Sequence, residues 1–96
     1  MKTVNEICLE LTLEQTCSCC PEQYDVFDGN NQTVGFIHLR HGLFSVYYPG
    51  YEGIPIFSAI IGDGYQGSFA SDFERTMFLN AAKLRIANKI FEEQGG

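Results

Sequence analysis

The period of the apolar residues changes once along this chain, and that change constrains the fold more than any other feature. From Val4 to Ile61 apolar and polar side chains largely alternate, the period of two that lets a strand bury one face; from Ser71 onward they recur at helical spacing. The pattern predicts strands near 4–14, 23–28, 33–40, 43–48 and 54–61 and a helix near 71–93. Gly29-Asn30-Asn31 and His41-Gly42 accept the positive φ of tight loops and join consecutive strands as hairpins. Pro49-Gly50 ends the fourth strand, because proline lacks a donor for the ladder. Pro55 puts the start of the fifth strand at an edge or a bulge, while the apolar run through Ile61 reads as covered on both faces. Ser71-Asp72-Phe73-Glu74 has the form of a capping box that starts the helix. The predicted fold class is α+β: a five-stranded, mainly antiparallel sheet, a meander of hairpins, with one C-terminal helix packed on one face, in a single domain over 1–96.

Charge narrows the partners. Twelve acidic residues against six basic ones give a net charge of −6, a field that repels phosphate backbones and anionic headgroups. Neither nucleic acid nor a membrane is an expected partner. The opening MKTVNEICLELTLEQ alternates where a signal peptide needs a continuous apolar run, so the chain reads as soluble and cytoplasmic.

Three patterns invite a chemical reading. Cys17, Cys19 and Cys20 crowd one short stretch without the paired C-x-x-C spacing of a zinc ribbon; Cys8, His38 or His41 would have to complete a tetrahedral set from elsewhere. Thiols in a connecting bend are the plainer reading, with a small thiol or zinc-binding protein built on Cys17, Cys19, Cys20 and His38 as the alternative. Gly62-Asp63-Gly64-Tyr65-Gln66-Gly67 matches G-x-G-x-x-G, yet Asp63 puts a negative charge where a phosphate would lie and no strand follows the helix to complete a βαβ unit. A loop whose glycines relax the backbone explains it, and no cofactor is expected. The third pattern depends on register. If Val26 pairs Val34 and Arg40 pairs Leu43, then Glu22, His38 and Ser45 form one rung with neighbouring Cβ atoms ~5 Å apart, in the hydrogen-bond order of a catalytic triad. A mid-strand serine has its neighbouring N–H groups tied up in the ladder, with none to spare for an oxyanion, so a polar rung is the simpler account and an enzyme is not the expected outcome. His41 reads as a turn residue.

Pro21-Glu22-Gln23-Tyr24-Asp25-Val26, Val34-Gly35-Phe36-Ile37 and Leu39-Arg40-His41-Gly42-Leu43-Phe44-Ser45-Val46 together resemble a group of small, uncharacterised bacterial proteins. These carry a PEQYDV-type strand, a VG-aromatic strand and an LR-x-G-x-F-x-V hairpin. The likeness spans roughly residues 19 to 61 and implies the hairpins, with no activity attached. A weaker likeness to the hairpins of tubby-like proteins stops short of their closed barrel, for which 96 residues are too few.

The predicted register assigns the two faces. Phe27, Ile37, Leu39, Phe44, Val46 and Tyr48 share one side, to be covered by the helix through Phe73, Met77, Leu84 and Phe91. Tyr24, Val26, Val34, Phe36 and Tyr47 project from the other. An apolar patch of that size exceeds what soluble monomers usually leave bare. The expected function is therefore a small non-catalytic interaction module that self-associates as a homodimer, or binds a protein partner, through this aromatic face.

Overall fold

A computed structural model of the chain describes residues 2–17, 22–61, 69 and 71–95. Seven elements follow in order: α1 (Val4–Glu10), β1 (Thr12–Cys17), β2 (Glu22–Phe27), β3 (Thr33–Arg40), β4 (Leu43–Tyr48), β5 (Ile54–Ile60) and α2 (Asp72–Glu93). The strands form one antiparallel meander in the order β1-β2-β3-β4-β5, the predicted α+β class.

The first element departs from expectation: residues 4–10 are helix, not strand. Thr3 caps it, its hydroxyl accepting from the Glu6 N–H at 3.2 Å while the Glu6 carboxylate accepts from the Thr3 N–H at 2.9 Å. The alternation of Ile7, Leu9, Leu11 and Leu13 suggested a strand, but Val4, Ile7, Cys8 and Leu11 also lie on one helical stripe, and these four pack on the core. Leu9, which a strand would have buried, is exposed.

Both tight hairpins form. In the β2–β3 turn the Asp28 carboxylate accepts from the N–H groups of Asn30 and Gln32, each at 2.9 Å, and Asn31 takes φ 65°. In the β3–β4 turn His41 and Gly42 both have positive φ, 52° and 75°, as a type I′ turn requires. Ser71 caps α2 as expected, accepting from the Glu74 N–H at 3.1 Å. Pro55, on the edge strand β5, pairs Tyr47 of β4 at a bulge, where the register shifts after the Val46–Phe57 pair. Covering of that strand on both faces does not occur, since Ile54 and Ile60 are exposed.

One core lies between the sheet and α2, with α1 packed beside α2 on the same side. Ile37, Leu39, Phe44, Val46 and Tyr48 face it, as predicted. The helix meets them with only part of the expected stripe: Phe91 packs on the core, but the centre of the contact is rotated. Ala82 and Ile86 are fully buried with Phe78, Leu79 and Ile90 around them, whereas Phe73 is 75% exposed and Met77 and Leu84 also face outward. Two contacts set this rotation. Arg75 reaches down to Glu22 on β2, and Ile86 rests directly on Gly35, where an added Cβ would stand 2.5 Å from the Ile86 Cδ1.

Candidate interaction surface

The faces sort differently from the predicted register because of one residue. A bulge between Val26 and Phe27 pairs Val26 with Gly35 instead of Val34, and Glu22 with Leu39 instead of His38. A slip of one position moves every side chain to the opposite face. Tyr24, 7% exposed, and Val26, fully buried, therefore belong to the core and not to the exposed surface expected of them. Val34, beside the bulge, is half-buried against that core, and Phe27 no longer joins the helix side. Phe36 and Tyr47 remain on the side away from both helices, paired across β3 and β4.

The acid–imidazole–hydroxyl rung is broken by the same slip. His38 does pair Ser45, but its other neighbour is Gln23, and the ladder continues to Ser58. An amide stands where a triad would need a carboxylate. Glu22 instead points into the core, 3% exposed, where the Arg75 guanidinium donates to its Oε1 from Nη2 at 2.7 Å and from Nε at 3.1 Å. Arg75 also bonds Asp72 and lies 5.9 Å over the Phe69 ring. The Tyr24 hydroxyl is 3.5 Å from Glu22 Oε2, and burial, with the neighbouring carboxylate second, raises its pKa. This cluster ties the start of α2 to the sheet.

The helix-free face carries an aromatic cluster. Phe36 stands 5.7 Å from His38, 6.1 Å from Tyr47 and 5.8 Å from Tyr51, ring centre to ring centre, and His38 is 5.8 Å from Tyr47. Such separations suit tilted and edge-to-face ring pairs. Together with Gln23 and Arg40 these rings line an open groove of about 370 Å³. Burial, and then the Arg40 charge, lower the pKa of His38; its Nδ1 is buried and has no hydrogen-bond partner among the described residues. Tyr51 enters from the turn after Pro49-Gly50, and Arg40 and Gln23 from the strand parity that carries Phe36 and His38. The alternation Phe36, His38, Arg40 was legible as one face; Tyr51, in a turn, had no periodicity to betray it.

Other sequence-predicted sites fall elsewhere. Cys19, Cys20 and the Gly62–Gly67 loop lie outside the described residues, as does the side chain of Cys17, which pairs Gln23 in the ladder. Cys8 is a half-buried free thiol on α1, on the helix side of the sheet, so it and His38 cannot share a ligand. His41 occupies the β3–β4 turn. No described helix is long and apolar enough to cross a membrane. Comparisons with protein-family models, with curated proteins and with solved structures returned no match.

Proposed function

We propose that this protein is a small non-catalytic interaction module that associates with a second copy of itself through the helix-free face of its sheet. The observation that carries the reading is the Phe36–His38–Tyr47–Tyr51 cluster on the side opposite both helices. The chain's own Phe69, at the end of the β5–α2 connection, does not cover it. That ring is buried on the helix side, 5.7 Å from Phe44 and 5.8 Å from Phe78. Aromatic side chains in a shallow groove are the residues that anchor protein interfaces, and a two-fold homodimer is the simplest assembly that covers such a face.

The corrected register makes the patch smaller and more polar than the sequence suggested, centred on Phe36 and Tyr47 with Gln23, Asp25 and Arg40 around them. Light scattering should report about two chains per particle at micromolar concentration. Phe36→Glu should give a folded monomer with an unchanged circular dichroism spectrum, because a charge at a two-fold interface meets its own copy or an apolar wall. A wild type that stays monomeric at every accessible concentration would sink the reading.

A further inference from the structure

The arrangement of charges on the helix-free face selects one way for two copies to meet, an inference that rests on the self-association reading above. Three rungs cross this face. The first runs Glu14–Asp25–Phe36–Tyr47, the second Gln23–His38–Ser45–Ser58, and the third contains Arg40, Leu43 and Ile60. Arg40 lies two pairs along β3 from Phe36, about 13 Å at ~3.3 Å per residue. It is exposed, and among the described residues neither it nor Asp25 has an ion-pair partner.

We propose that the second copy packs face to face with its strands antiparallel to the first, and that the two-fold axis crosses the strands along the Gln23–His38–Ser45–Ser58 rung. Rotation about that line exchanges the first and third rungs. Each Arg40 guanidinium then lands on the partner copy's Phe36 ring with the partner copy's Asp25 one strand away, a cation–π contact and an ion pair formed by the same group. Tyr47 and Leu43 exchange places in the same operation and meet as an apolar pair. Two sheets stacked this way are aligned, the arrangement favoured when twisted sheets pack.

The competing two-fold axis runs along β3. It would set Arg40 against its own copy and place Asp25 over the partner copy's Tyr47, so like charges would meet and a carboxylate would face the electron-rich side of a phenol ring. The crossing axis satisfies both charges and the axis along the strand satisfies neither.

The test is a charge exchange, with association followed by sedimentation equilibrium on the full chain. Arg40→Asp and Asp25→Arg should each weaken the dimer by about tenfold or more, and the double variant should return to within about threefold of wild type. Arg40→Gln and Asp25→Asn, milder changes, should weaken it less, and circular dichroism confirms that each variant is folded. A dimeric wild type whose double variant associates no better than the singles, or whose single variants associate normally, overturns this axis and leaves the face itself standing. A monomeric wild type, or a Phe36→Glu variant that dimerises normally, overturns the face and the axis together.

Discussion

Replacing Arg75 with methionine should cost more stability than any other single surface-reaching change in this protein. The Glu22 carboxylate is 3% exposed and takes charge-assisted hydrogen bonds from Arg75, at 2.7 and 3.1 Å to Oε1 and 3.4 Å to Oε2. With the guanidinium gone, the nearest donor among the described residues is the Tyr24 hydroxyl at 3.5 Å, at the outer limit of a hydrogen bond. Breaking a buried pair by deleting one partner typically costs about 3–5 kcal/mol, because a charge is left without compensation. Arg75 itself is 30% exposed, so water reaches one side of the pair and places the cost near the lower end, about 3 kcal/mol. Against a total of roughly 5–15 kcal/mol for a domain of this size, that is a large fraction.

The mirror-image change should be milder. Glu22→Leu leaves a cation that can turn toward Asp72 and solvent, at about 1–2 kcal/mol. Combining the two removes both charges beside Leu39 and Phe69 and should fall within about 1 kcal/mol of wild type, since an apolar pair often replaces a buried ion pair without loss. Urea unfolding followed by circular dichroism, with an unchanged slope, measures all three. A cost below about 1 kcal/mol for Arg75→Met, or a double variant as unstable as the sum of the singles, would refute the view that this pair acts as a unit in the core.

Gly35→Ala should destabilise by about 1–3 kcal/mol, because its Cβ would stand 2.5 Å from the Ile86 Cδ1; Ile86→Val, which removes that atom, should recover part of the loss, and an innocuous Gly35→Ala would mean the helix does not sit where described. Since the pKa of His38 is lowered from 6.5, chiefly by burial, the unfolded chain takes up its proton first on acidification. Stability from this group is full above the unfolded value and is lost as pH falls through it toward the depressed folded value. Wild type should therefore lose stability relative to His38→Gln between about pH 7 and pH 5, and a constant difference across that window would show that the imidazole is not held in a desolvated site.

What could be read from the chain is what depends on neighbours in sequence. The turns at Gly29-Asn30-Asn31 and His41-Gly42 impose their own φ values, and Ser71 caps its helix three residues from Glu74. The same local signal stood at Thr3 and Glu6, where it was overridden by the alternating leucines, although only one of the two readings satisfies the orphan N–H groups of a first turn. The rotation of α2 was not legible. Phe73, Met77 and Leu84 form as convincing a stripe as Phe78, Ala82 and Ile86, and the choice between them is made by Glu22 and Gly35, far away in the chain.

The bulge at Val26/Phe27 links these outcomes. Without it Glu22 would lie beside His38 on the open face and Arg75 would have no buried partner. With it, Tyr24 and Val26 are spent on the core, and among the described residues the rings of the open face come from β3, β4 and the following turn. Those rings already hold one another, Phe36 against His38, Tyr47 and Tyr51. Side chains fixed before association lose little rotamer freedom when a second chain arrives, and the ordering cost of about 0.5–1.5 kcal/mol per immobilised side chain is correspondingly reduced. A small patch can therefore serve as an adhesive surface here, provided its charges also find their complements, which is the condition that the exchange of Arg40 and Asp25 puts to the test.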